Sequence, residues 1–257
     1  MKTAIIIPAR FGSTRLPGKP LLDRTGKPLI QHVYEQARRV KNADQVVVAT
    51  DNKRIFDCVA GFGGGVVMTS DEHETGSGRV AEAAQSLDAE IIVNLQGDEP
   101  EIDPVYIERL IHLHTNSKAF ASTLACRFSS NAVRGAGSPD DAAAVKAILG
   151  DAISEKTYWA RYFTRYLFPV PRDSFGAIKT PSDYFLHVGI YAFSKESLMA
   201  FASAPMGALE KVERLEQLRI LEMGEAIAIA EIPAAAPGID TPADYDAFVM
   251  RWSEGAT

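Results

Sequence analysis

Short apolar runs alternate with amphipathic ones along the first hundred residues, and this alternation predicts strands followed by helices. Thr3–Ile7 is a β-branched run without polar alternation, as a strand buried on both faces would be. Gly12–Gly18 is rich in turn formers, and Pro28 suits the first turn of a helix. In that helix Ile30, Val33, Ala37 and Val40 make one apolar stripe. Gln45–Thr50 reads as a second strand and Lys53–Phe62 as a helix that ends at Gly63-Gly64-Gly65. Val66–Thr69, the helix Ser77–Leu87 and the strand Glu90–Leu95 continue the series. Such a series predicts an α/β fold with a doubly wound, mostly parallel sheet.

The second half is more mixed. Phe120–Arg127, Val145–Leu149, His187–Phe193 and Ala226–Ile232 read as strands, and Ser154–Tyr166, Lys195–Ala202, Ala208–Met223 and Pro242–Trp252 as helices. Ser129–Asp141 and Pro169–Asp183 are rich in Gly, Pro, Ser and Asp, so they read as loops. Without linker composition or repeats, the expectation is a single domain over residues 1–257 with a small added lobe, roughly within 128–210.

Composition narrows the class. An apolar fraction of 46% excludes a disordered chain, and no apolar run approaches the ~20 residues of a membrane helix. The opening Met-Lys-Thr-Ala-Ile-Ile-Ile is too short for a signal peptide, and two cysteines make neither a disulfide framework nor a thiolate cluster. The reading is a soluble, cytoplasmic protein. A formal charge of −6 argues against nucleic acid as a partner. Yet residues 1–22 hold Lys2, Arg10, Arg15 and Lys19 and no acid, which suggests an anionic small ligand there.

In open parallel sheets ligands bind at the carboxyl ends of strands. The first strand runs into Pro8-Ala9-Arg10, and the loop ends in Leu16-Pro17-Gly18-Lys19. Arg10 and Arg15 can fork onto phosphate oxygens, with Lys19 as a point charge. Pro20 stands where a P-loop needs Ser or Thr, so this is not a P-loop, and a surface turn that happens to be basic is the competing reading. Asp98, just past the fourth strand, and Asp240, between a strand and a helix, are candidates to share a hard cation such as Mg²⁺. For Asp240 a helix N-cap is the competing reading, and Asp51 reads as the cap of the helix that follows it. On the expected helix around residues 209–219, Val212, Glu216 and Ile220 share a face. Glu216 then either pairs with Arg219 or, with Gln217, faces a polyhydroxy ligand. His187 opens a strand, where a core histidine is the default, while His32, His112 and His114 read as surface or rim residues on helices.

Taken together, Ile5–Arg10, Ser13–Leu21, Ala49-Thr50-Asp51, Asn94–Pro100, Tyr162-Phe163-Thr164-Arg165, His187–Tyr191, Leu209–Arg219 and Gly238–Pro242 resemble the 3-deoxy-manno-octulosonate (Kdo) cytidylyltransferases. The resemblance implies a Rossmann-like nucleotide-diphospho-sugar transferase fold, a homodimer, and the use of CTP and Mg²⁺ in lipopolysaccharide-type glycan synthesis. It implies that Arg10, Arg15 and Lys19 hold the triphosphate, with Pro8, Ala9, Ser77 and Arg79 beside the nucleotide. Asp98 and Asp240 would bind the metal, and Gln96, His187, Tyr191, Glu216 and Gln217 would line the sugar site. The chain departs from the family pattern at Gly78, where an acid is usual, at Leu186, where a base is common, and at Arg161 and Thr164. These departures open the sugar to an 8-amino analogue of Kdo or another 2-keto-3-deoxy acid. The alternatives are an enzyme of the same fold with another base or sugar, and a non-catalytic nucleotide-sugar-binding relative.

Overall fold

A computed structural model describes residues 1–12, 15–73, 75–132, 134–174 and 176–255. Ser13 and Thr14 of the Ser13–Leu21 segment lie outside the described residues. The chain divides into two compact units, one formed by Met1–Glu108, Ser194–Ala202 and Ala236–Thr257, the other by Arg109–Phe193 and Ser203–Ala235.

The first unit is built on the strands β1 (Thr3–Ala9), β2 (Gln45–Thr50), β3 (Gly65–Met68) and β4 (Ile91–Asn94), interleaved with α1 (Leu29–Arg38), α2 (Lys53–Gly61) and α3 (Gly76–Gln85). Its strands run parallel in the order β3-β2-β1-β4. The order reverses at β1, because β2 and β3 extend the sheet to one side and β4 returns to the other. Right-handed crossovers then carry α1 and α2 over one face and α3 over the opposite one. Ala4, Ile5, Ile6 and Ile7 are wholly buried, as the unbroken apolar run of β1 requires. The loops after β1 and β4 lie at this reversal, the place where open parallel sheets bind ligands. They are close enough that a Cβ on Gly97 would stand 3.1 Å from the Pro8 carbonyl oxygen. α8 (Pro242–Gly255) completes the unit.

The helix α4 (Pro104–Ser117) leads into the second unit, whose strands are β5 (Ala121–Arg127), β6 (Lys146–Ser154), β7 (Thr157–Thr164), β8 (Phe185–Ser194) and β9 (Ile227–Ile232). α5 (Lys195–Ser203), which follows β8, belongs almost wholly to the first unit, and α6 (Ala208–Glu213) and α7 (Gln217–Glu222) precede β9. Here β5 and β9 pair in parallel, whereas β5–β8, β6–β7 and β7–β9 are antiparallel, and β6 also meets the start of β8.

Two expectations fail in this unit. The helix expected over Ser154–Tyr166 is instead a turn and the strand β7, whose Thr157, Tyr158, Trp159, Tyr162, Phe163 and Thr164 are strand formers. The single helix expected over Ala208–Met223 is two short ones, broken at Arg214, which takes a left-handed conformation with φ of 54°. Among the described residues no helix is long and apolar enough to cross a membrane.

Candidate active site

Lys19 sits in a single 3₁₀ turn over Lys19–Leu21, entered through Gly18 with φ of 67°, a backbone turn that favours glycine. The Phe11 ring packs against Gly18, and the Arg54 guanidinium lies 4.6 Å from that ring's centroid, so the loop after β1 is gripped from α2. From this position the Lys19 ammonium donates to Asp98 Oδ2 at 2.9 Å, to Asp240 Oδ1 at 3.4 Å and to the Ile239 carbonyl at 2.7 Å. Arg15 reaches the other Asp240 oxygen at 3.2 Å.

Packing brings these distant residues together. Leu16, Leu29, Ile239, Tyr245 and Phe248 form one buried cluster, which ties the loop after β1 to the segment before α8. The Ile239 amide donates to the Asp98 carbonyl at 2.9 Å, so Asp240 is fastened beside Asp98 through the backbone. Asp240 does not cap α8. Thr241 does: its hydroxyl accepts from the Asp244 amide, and the Asp244 carboxylate accepts from the Thr241 amide. The Asp240 side chain is thereby left to the two bases.

Lys2, by contrast, is paired with Asp88 at the opposite end of β1 and takes no part in the basic cluster expected over residues 1–22. Arg10 follows directly on β1 and is exposed. Pro8 and Ala9 close that strand.

Glu99, which the sequence reading missed, stands next to these acids. Burial, with the charges of Asp98 and Asp240, pushes its carboxyl up to about 8, although Lys19 pulls the other way. Two carboxylates that both reach the one Lys19 ammonium have the chemistry to suit a hard divalent ion. Among the described residues no third His, Cys, Asp or Glu joins them as a ligand set. The remaining ligands would have to be phosphate oxygens and water, which is how Mg²⁺ is usually held.

Arg79 is buried, and its guanidinium donates to the Asp51 carboxylate, the Thr69 hydroxyl and the Ser70 carbonyl, so it ties the ends of β2 and β3 together. Asp51 is therefore Arg79's partner and not a cap; Asn52 caps α2, accepting from the Arg54 amide at 3.0 Å. Ser77 lies in the first turn of α3, whose N-terminus is capped by Thr75. Gly78 leaves room for His73: a Cβ there would stand 3.1 Å from His73 Nδ1, and His73 is bound to Glu82.

Of the expected sugar-site residues, Gln96 belongs to the first unit, where its amide donates to Asn94 at 2.9 Å and its Oε1 lies near Gly76. The other four are in the second unit. His187 and Tyr191 neighbour each other on β8, with ring centroids 5.5 Å apart. Phe163 packs edge-on against His187 at 4.9 Å. Burial and the charge of Glu216 push the Tyr191 hydroxyl well above its ordinary range, which places Glu216 in the same neighbourhood.

Glu216 reaches that place by the helix break and not by the expected stripe: Val212 is largely exposed, whereas Ile220 is fully buried. The break is held from β7. Thr164 donates to Glu213 at 2.7 Å, and the Arg165 amide and guanidinium donate to the Glu213 carboxylate and carbonyl. The Tyr162–Arg165 block thus shapes the turn before Glu216, and Thr164 supplies the hydroxyl that this needs. Arg219 forms a buried two-pronged pair with Glu210, and the charge of Glu216 also acts on it. Gln217 is also buried, and its amide nitrogen has no protein partner. His32 and His114 are buried, against expectation, bonded to Thr25 and Ser122 respectively.

A doubly wound parallel unit with bases and paired carboxylates at its switch point defines a nucleotidyltransferase. Residues 4–227 match the family model described as cytidylyltransferase, and the chain belongs to that family. It is 44% identical to the 3-deoxy-manno-octulosonate cytidylyltransferase of Geobacter sulfurreducens, over 98% of this chain and 99% of that protein. It is 42% identical to the 8-amino-3,8-dideoxy-manno-octulosonate cytidylyltransferase of Shewanella frigidimarina, over 98% of each chain. Among solved structures, a CMP:2-keto-3-deoxy-manno-octonic acid synthetase complexed with CTP superposes with a TM-score of 0.87 at 38% identity, covering 99% of this chain and 100% of that one.

Proposed function

We propose that this cytidylyltransferase couples CTP to 3-deoxy-manno-octulosonate or its 8-amino analogue, giving the CMP-sugar and pyrophosphate. The observation that carries the reading is the convergence of Lys19 and Arg15 on Asp98 and Asp240 at the strand-order reversal. In this reaction the anomeric hydroxyl oxygen of the sugar acid bonds to the α-phosphorus of CTP. The bond from that phosphorus to the pyrophosphate oxygen breaks, and the hydroxyl proton passes to solvent.

No covalent nucleophile on the protein is required; alignment and charge neutralisation carry the chemistry. Arg10, Arg15 and Lys19 bind the phosphates and balance the charge that builds on the departing pyrophosphate. Asp98 and Asp240 would hold a divalent cation of the Mg²⁺ type, which supplies Lewis-acid neutralisation of the phosphates when bound. Pro8, Ala9 and the first turn of α3 at Ser77 provide the wall for the nucleotide. Gln96, His187, Tyr191, Glu216 and Gln217 bind the hydroxyls of the sugar acid. We further propose a homodimer that works in the cytoplasm.

Pyrophosphate release with CTP, Mg²⁺ and Kdo, set against the other nucleoside triphosphates and 8-amino-Kdo, tests the reading. Turnover confined to CTP with one or both of these sugars is expected. Preference for another triphosphate, or no turnover with either sugar acid, overturns it.

A further inference from the structure

The register between β5 and β8 jumps from Thr123 opposite Tyr191 to Leu124 opposite Val188, so Gly189 and Ile190 bulge out of the ladder. A bulge leaves carbonyls without ladder partners. Thr123, which is wholly buried, answers this with one hydroxyl: its Oγ1 lies 2.8 Å from the Ile190 carbonyl oxygen and 3.1 Å from that of Val188. The same oxygen is 3.0 Å from Nε2 of His187.

A threonine hydroxyl has one hydrogen, and a carbonyl can only accept. That hydrogen must therefore go to the bulge, and a lone pair of Oγ1 faces the imidazole. The Thr123–His187 contact then requires the hydrogen on Nε2. The ring lies between Phe163 and Tyr191, and burial pushes its pKa down to about 3, so it is neutral and carries no second hydrogen. Among the described residues, Nδ1 has no protein donor, and it is not one of the buried side-chain nitrogens left unpaired. It remains open to a ligand.

We propose that Thr123 is a positioning residue of the sugar site, which fixes His187 as the Nε2–H tautomer so that its bare Nδ1 accepts a hydrogen bond from a substrate hydroxyl. This rests on the reading that His187 meets the sugar acid. An acceptor-only imidazole, with the Glu216 carboxylate near Tyr191, makes this end of the second unit a reader of hydroxyl or ammonium donors. A carboxylate would be repelled there, so the acid group of the sugar must be recognised by other residues.

The test combines spectroscopy and kinetics on the full chain. In protein labelled with ¹⁵N-histidine, long-range nitrogen–proton correlation at neutral pH identifies the tautomer, and His187→Gln assigns the signals. The expected result is a protonated Nε2 and an unprotonated Nδ1 in the parent and in Thr123→Ser, and loss of this single tautomer in Thr123→Val. A hydrogen on Nδ1 in the parent overturns the proposal. In steady-state assays Thr123→Val should raise KM for Kdo about tenfold, the effect of one misplaced hydrogen bond, with KM for CTP unchanged and Thr123→Ser restoring the parent value. An equal change in both KM values, or none, overturns the positioning role. If Thr123→Val does not fold, the tautomer in the parent and Thr123→Ser still decides. A parent enzyme inactive on CTP with Kdo would overturn the proposed reaction and leave the tautomer measurement standing.

Discussion

Lys19 is the side chain on which both aspartates converge, so substitutions around it should separate chemistry from folding. Asp98→Asn keeps the shape of a half-buried loop side chain but removes its charge. We expect kcat to fall roughly a hundredfold or more, as for loss of one preorganised charge contact, with an unchanged thermal midpoint by circular dichroism. Lys19→Ala should lower kcat and raise KM for CTP while KM for the sugar acid stays put; a change confined to the sugar would reject the phosphate role. These residues were legible in the sequence because each lies in a loop that follows a strand. Glu99 was not: nothing in Gly97-Asp98-Glu99-Pro100 tells which of the adjacent acids is open and which is folded inward. The partners of Arg79 were equally hidden, since a basic residue beside a glycine-rich turn looks the same whether it faces a ligand or an aspartate of the next strand end.

At the scale of elements, caps and breaks set where the functional groups point. Thr241→Ala removes the hydroxyl that starts α8 and should cost about 1 kcal/mol in urea unfolding. It should also lower kcat, because Asp240 loses its fixed approach; an unchanged kcat would show that the cap does not position it. The buried Glu210–Arg219 pair fastens α6 to α7. Glu210→Ala, which strands the guanidinium, should cost about 3–5 kcal/mol, read from the same unfolding curves. The parallel half of the fold was readable because its strands are uniform apolar runs. The break at Arg214 was not, as no glycine or proline marks it and the restraint comes from Thr164 and Arg165, some fifty positions earlier in the chain. β7 was misread because Tyr158, Arg161, Tyr162 and Arg165 imitate helical spacing, although the content of aromatic and β-branched residues already pointed to a strand.

For the molecule as a whole, buried neutral histidines predict acid sensitivity. Burial lowers His114 to about 4 and His187 to about 3, whereas both titrate near 6.5 when unfolded. Below pH 6.5 the unfolded chain takes up protons that the native one does not. Stability is therefore full above that pH and is lost as pH falls towards 4, by up to about 1.4 kcal/mol per pH unit for each histidine. Urea midpoints at pH 7, 6 and 5 should show the decline, and His114→Gln should flatten it; an equal slope in the variant would mean that His114 titrates normally.

The aspartates and bases sit in one folding unit and His187, Tyr191, Glu216 and Gln217 in the other. On the function proposed above, the sugar acid can thus be re-specified apart from the phosphate chemistry. Libraries aimed at other 2-keto-3-deoxy sugar acids should accordingly be concentrated on β8 and the α6–α7 corner, with the loops after β1 and β4 left untouched.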